Sequence, residues 1–449
     1  MKRIFLFSAF LVLLFSSAAQ TDVGYEIKVT FKPFKNQYIY LGHYFGKTYP
    51  IIDSALLNEK SEAIFKGDGN LNGGIYLIGY PKKTGFFEVL VDKQQRFSIT
   101  ADTATIGSSI KFENSSDNVL FNHYQQFMTG KGKEINKLKD SYKTSTSKKD
   151  SAAIREKLIK LDEDIAAFRN DIIKNYPGNI LTALLMTMKE PALTGRLKNP
   201  KTKEDSLASW QYYKDHFWDD VSFYDGRIAY TTFFEEKLDK YFNQVVVPHP
   251  DSVIKELDWM LGTATINLEM TRFLLIKFVN RYLNQKYMWE DAVFLYLFEK
   301  YFAQKEHSWL TAAGKKVITD RAYSLMANIM GTPASDIELP DSTGAMKSMF
   351  AEKGNFTMVI FWDPTCGHCK EVLPQIDSVY REKWKADSVN IYAVSKETDG
   401  TKKDWLNFIN EKKLTDWTHV YYSNCMMYFP FQQFIYLIKT NKKKKKNLH

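Results

Sequence analysis

The chain has 449 residues, 44% hydrophobic and 25% charged, with a formal net charge of +9. That length accommodates about two to four domains with buried cores. The charge excess is local: Lys2, Arg3, Lys439 and residues 442–446 supply eight of the 61 basic residues, and without them 53 face 52 acidic ones. A near-neutral body gives no ground for a nucleic-acid partner, and three cysteines exclude a disulfide-stapled scaffold.

The chain opens with Met1-Lys2-Arg3, an apolar run from Ile4 to Phe15, and small residues Ser16-Ser17-Ala18-Ala19. This is the pattern of a secretory signal peptide over residues 1–19. Its apolar run is too short to span a bilayer comfortably, and no cysteine near the cleavage site offers a lipid anchor. The expectation is a protein exported to the periplasm or cell envelope, soluble after cleavage and without stable membrane insertion.

Residues 22–115 read as β structure. Tyr25, Ile27, Val29 and Phe31 alternate with Glu26, Lys28, Thr30 and Lys32, a period of two. Asn72-Gly73-Gly74 punctuates before Ile75-Tyr76-Leu77-Ile78, and the runs 86–91 and 97–100 continue the theme. A small β-sandwich is the expected result, with no catalytic constellation in it.

Residues 116–325 read as helical. Ile154, Leu158, Leu161, Ile165, Phe168 and Ile172 form a stripe at alternating spacings of four and three, the mark of one apolar helix face. The stripe stops at Tyr176-Pro177-Gly178-Asn179, so a bundle helix is favoured over a long coiled coil. The Lys-rich stretch 144–151 reads as a loop, and helices are expected near residues 233–242, 270–282 and 292–302. Trp210, Tyr212, Tyr213, Phe217, Trp218, Phe223 and Tyr224 could line a peptide groove but are expected to be core. His216 and His249 have no partners at ligand spacing and receive no role.

Near the C-terminus, the apolar run Phe356–Trp362 precedes Cys366-Gly367-His368-Cys369 and a helical pattern. Strand, turn and C-x-x-C at a helix start place the first thiol where unpaired N–H groups favour a thiolate, the species that attacks disulfides. Zinc would need four ligands and only His368 is near; c-type haem attachment would need a histidine where Lys370 stands. Neither a metal nor a cofactor is expected.

Phe361-Trp362-Asp363-Pro364-Thr365-Cys366-Gly367-His368-Cys369-Lys370 resembles the active-site segment of TlpA/ResA-like thiol–disulfide oxidoreductases, an exported branch of the thioredoxin superfamily. Pro374 stands where thioredoxins carry the proline that kinks the active-site helix, and residues 331–334 and 337–344 resemble the lead-in to the first core strand. The likeness covers about residues 328–424. It implies an α/β thioredoxin-like domain behind the β-sandwich and helical domains, and the β-sandwich resembles the uncharacterised β-domains found ahead of such modules. It also implies Cys366 as attacking thiol, Cys369 as resolving thiol, and Trp362, Pro364, Gly367 and His368 as residues that shape the approach or tune the thiolate. The implied partners are protein disulfide or dithiol substrates and a separate redox partner. A C-G-H-C loop is also like that of disulfide isomerases, so isomerase is one alternative. A non-enzymatic envelope-assembly protein with a degenerate redox module is another.

The likeness breaks after Asn424. Strand 389–394, helix 402–412 and Trp417–Tyr421 fit the family, but the cis-proline strand that would receive substrate is absent. With the two Met codons at 426 and 427 fixed and plausible codons elsewhere, a one-base shift at Cys425 reads Tyr-Asp-Val-Phe-Ser-Ile-Pro-Thr-Ile-Tyr-Leu-Phe-Asp-Lys-Asn. That string resembles the missing strand. Residues 425–449, with their lysine run, are therefore expected to be out-of-frame translation, Cys425 an accident rather than a redox thiol, and the domain truncated with an unpaired sheet edge.

Overall fold

The computed structural model describes residues 24–106, 110–145, 147–326, 334–396 and 402–422 and the strand 435–439. The segment expected to be a signal peptide, Cys425 and the lysine run lie outside the described residues. The chain divides into two compact units, 1–322 and 323–449.

The described residues of the first unit begin with eight strands: β1 Tyr25–Lys32, β2 Tyr38–His43, β3 Ile51–Leu56, β4 Glu62–Gly67, β5 Gly74–Gly79, β6 Phe86–Val91, β7 Arg96–Asp102 and β8 Lys111–Glu113. They form two four-stranded sheets, ordered β4-β1-β7-β8 and β3-β2-β5-β6. Only β1 and β7 run parallel; the other neighbours are antiparallel. Alternation decides the faces: Ile27, Val29 and Phe31 point inward and meet Ile39, Leu41, Ile78 and Val89 of the opposite sheet in one core. Strand β5 departs from alternation and is buried on both faces, because helices cover the outer side of its sheet.

Among the described residues ten α-helices follow: α1 Ser116–Thr144, α2 Lys148–Asn175, α3 Ile180–Met188, α4 Gly195–Lys198, α5 Lys203–Asp215, α6 Thr232–Lys240, α7 Pro250–Ala264, α8 Leu268–Leu283, α9 Glu290–Leu297 and α10 Ala312–Met326. α1 and α2 form a helical hairpin whose turn is shorter than the sequence implies. Ser147 caps α2 by accepting from the Asp150 N–H, so helix begins at Lys148 inside the stretch read as loop; capping outweighs the polar composition. α2 ends at Tyr176-Pro177-Gly178, with Gly178 at φ +79°. In the aromatic cluster, Phe217, Trp218 and Phe223 are core, whereas Tyr212 and Tyr224 are exposed.

Side chains bind sheet and helices into one unit. Buried Asn118 pairs with both backbone groups of Leu90, at 2.7 Å each, and so covers the edge strand β6. Arg227 donates to Asp92 at 2.7 Å and to Asp225 at 2.6 Å. At the β2–β3 tip, Gly46 (φ +59°) donates to the Ala229 carbonyl at 3.1 Å, and Phe45 packs edge-on against Phe273 at 5.1 Å.

The second unit contains β9 Glu338–Pro340, β10 Met346–Ser348, β11 Phe356–Trp362, α11 Gly367–Val379, β12 Val389–Lys396, α12 Lys402–Lys412, β13 Thr418–Tyr422 and β14 Ile435–Lys439. Its sheet order is β13-β12-β11-β14. β11, β12 and β13 are parallel, and β14 is antiparallel to β11. Short β–α–β connections put α11 and α12 on one face, over Ile360, Ile391 and Ala393. The β9–β10 hairpin covers the other, where the Tyr392 hydroxyl lies within 2.9 Å of the carbonyl oxygens of Ile337 and Lys347. The edge expected to stand open beside β11 is occupied: β14 pairs with it from Ile435 to Lys439. The apolar string Ile435-Tyr436-Leu437-Ile438 suits a strand whatever its origin.

Candidate active site

β11 is apolar and buried along most of its length, and it delivers the chain to a turn at the carboxyl end of the sheet, where α/β folds place their reactive groups. The turn Asp363-Pro364-Thr365 has a local cause. The Asp363 carboxylate accepts from the Thr365 N–H and hydroxyl, both at 2.7 Å, and the Asp363 carbonyl accepts from the Cys366 N–H at 3.1 Å. Pro364, which lacks a donor, sits buried in the bend.

Cys366 is the N-cap of α11, and its Sγ accepts from the Cys369 N–H at 3.2 Å. The sulfur therefore takes the place of the oxygen of an ordinary Ser or Asp cap and faces the positive end of the helix. Cys366 is half-buried, Cys369 is buried, and no disulfide joins them. Burial, then the neighbouring Cys366, pushes the Cys369 thiol up to about 11. The pair is asymmetric: one sulfur is reachable and set against helix N–H groups, the other is enclosed and protonated at neutral pH.

The other residues singled out by sequence divide. Gly367 and His368 are exposed on the first turn of α11, and a Cβ at Gly367 would meet nothing within 4 Å. Trp362 is buried in the core cluster that holds Cys369, with its ring 5.3 Å from that of Phe408, so it backs the site from below rather than lining the approach. Pro374 lies inside α11, which continues to Val379; its missing N–H removes the bond to the Lys370 carbonyl. The sequence reading missed Asp363, although an Asp-Pro-Thr step after a strand is a turn signal. Among the described residues no group of three or more His, Cys, Asp or Glu is placed to hold a metal, and no helix is long and apolar enough to cross a membrane.

Residues 330–421 match the family model described as the AhpC/TSA family, and residues 190–328 match one described as a domain of unknown function, DUF5106. The second unit is thus a thioredoxin-like α/β domain, preceded by a β-sandwich and a helical region. Among solved structures, a thioredoxin-like protein from Bacteroides caccae is similar at 14% identity, over 56% of this chain and 91% of that one, with a TM-score of 0.40. A domain of a possible thiol–disulfide isomerase from Cytophaga hutchinsonii shares 24% identity over 26% and 82% of the two chains, at a TM-score of 0.24. The thioredoxin domain of a thiol–disulfide oxidoreductase from Bacteroides vulgatus shares 26% over 24% and 80%, at 0.21. No curated protein matches the chain.

Proposed function

We propose that the protein is an exported thiol–disulfide oxidoreductase that exchanges disulfides with protein substrates through Cys366 and Cys369. The observation that carries this reading is the Cys366 sulfur as N-cap of α11, with Cys369 enclosed one turn on. The Cys366 thiolate attacks a substrate disulfide, one substrate sulfur leaves as thiolate, and a mixed disulfide forms. Cys369 then loses its proton and attacks the Cys366 sulfur, releasing the second substrate sulfur. The substrate gains two electrons and the enzyme pair becomes a disulfide; a separate dithiol partner restores it. In the oxidising direction the same steps run backwards.

The test is covalent trapping. Cys369→Ser is expected to accumulate mixed disulfides with specific proteins, and Cys366→Ser to form none and to lose insulin reduction. Partners captured equally well by both variants would favour a non-enzymatic assembly role and sink the proposal. The exposed His368 beside the dithiol keeps an isomerase reading in play: a histidine there stabilises the thiolate and raises the potential. A potential that His368→Ala leaves unchanged would remove that reading.

The out-of-frame origin of residues 425–449 also stands as a proposal, supported by a family match that stops at residue 421. Export with cleavage after Ala19 is a third. A mature N-terminus at Gln20 on the protein secreted by a bacterial host is the expected result, and retention of residues 1–19 in the cytoplasm would refute it.

A further inference from the structure

The α1–α2 hairpin extends well beyond the body that anchors it. In α1 the buried residues are Asn118, Phe121 and Tyr124, and in α2 they are Leu161, Ile165 and Ile172. Between Gln125 and Lys160 no described residue is buried. The twenty residues of α1 from Gln125 to Thr144 alone form a helical arm about 30 Å long. Only a single seam, including Ile135, Leu138, Ile154 and Leu158, is half-covered between the two helices.

This arm is cationic. Residues 131–160 hold ten basic and four acidic side chains. Apart from this stretch, Lys2, Arg3, Lys439 and residues 442–446, the chain has 43 basic against 48 acidic residues, so the remainder is mildly acidic. Lys131 and Lys143 meet Asp164 and Asp140. Lys133, Lys137, Lys149, Lys157 and Lys160 are exposed. At 100° per residue Lys133 and Lys137 fall within about 40° of each other on α1, and Lys149, Lys157 and Lys160 within about 80° on α2, each set turned away from the seam, so the two sets point to opposite sides of the hairpin rather than to one face. Nine of the ten cations are lysine, a hydrated point charge rather than the forked donor that reads one carboxylate. A shaped acidic protein would require one complementary face. A diffuse sheet of negative charge accepts cations at many orientations, and the acidic remainder is repelled from it, so the arm approaches first.

We propose that the α1–α2 arm is an electrostatic docking element for an anionic lipid surface, holding the protein reversibly at a bilayer without inserting into it. The experiment is co-sedimentation of the full chain with phosphatidylcholine vesicles, with and without phosphatidylglycerol. Binding is expected only to the anionic vesicles. It should fall steeply between about 0.1 and about 1 M salt, as the screening length shrinks from about 10 to about 3 Å. Replacing Lys133, Lys137, Lys149, Lys157 and Lys160 with Gln, which keeps helix propensity and retains the C-terminal lysine run, should weaken binding at least about tenfold. Equal binding to neutral vesicles overturns the proposal, as does unchanged binding by the Gln variant, which would assign the affinity to the C-terminal lysines. Circular dichroism of the variant, with undiminished helix signal, keeps a folding defect from passing as support, and the salt dependence of the unmodified chain tests the idea without any variant.

Discussion

At the scale of single residues, the two thiols differ by environment and not by chemistry. Cys366 sits against helix N–H groups, and Cys369 is enclosed beside Trp362 and Leu373. Because Cys369 is pushed up to about 11, iodoacetamide is expected to label Cys366 first at neutral pH, with Cys369 labelling rising as pH climbs toward 11. Mass spectrometry of a pH series reads this, and equal labelling at pH 7 would contradict the asymmetry. Lys237 is a second case. Its ammonium donates to the Lys189 carbonyl and lies 5.0 Å from the Phe217 ring centroid, and burial lowers it to about 8. Between about 8 and the ordinary lysine value the unfolded chain binds more protons than the folded one, so this group makes stability rise with pH across that window. Unfolding midpoints of the native chain minus those of Lys237→Met, followed from pH 8 upward, should show that rise. Arg227 joins Asp92 and Asp225 with little exposure. Arg227→Ala leaves Asp92 unpaired at the sheet–helix junction and is expected to cost about 2 kcal/mol, readable by urea unfolding.

At the scale of elements, helix α1 carries two glycines that packing does not require. A Cβ at Gly130 or Gly132 would meet nothing within 4 Å, so each weakens the helix without a compensating contact. Gly130→Ala and Gly132→Ala are each expected to stabilise the arm by about 0.5–1 kcal/mol, measured as a higher thermal midpoint and slower amide exchange between residues 125 and 144. Strand β14 is the other informative element. It pairs with β11 at the flank of the dithiol, where the resemblance places a substrate-binding strand. If the tail is out of frame, replacing residues 425–439 by the shifted string with its Ile-Pro-Thr step should raise both the thermal midpoint and the insulin-reduction rate. No gain in either would mean that the chain as it stands already completes the domain.

At the scale of the molecule, the three regions expected from sequence behind the signal segment gather into two compact units. The β-sandwich and the helices share buried contacts through Asn118, Arg227, Gly46 and Phe45. A fragment of residues 24–322 is therefore expected to unfold in one cooperative transition, with far-UV and near-UV circular dichroism coinciding. Separate transitions for sheet and helix would show that those contacts do not couple the two parts.

Much of this was legible in the chain itself. Period-two alternation in Tyr25–Lys32 defined a strand and its buried face, the stripe from Ile154 to Ile172 defined a helix, and an apolar run followed by C-x-x-C located the dithiol, because local periodicity and motif spacing report the face each residue presents. Tertiary structure alone decided the rest. Burial of both faces of β5 depended on helices from more than a hundred residues away in sequence. The inequality of Cys366 and Cys369 depended on which sulfur the core encloses, and the pairing of β14 with β11 on a backbone ladder that closes across the whole domain. Each is a non-local contact, and its partner is not written beside it in the sequence.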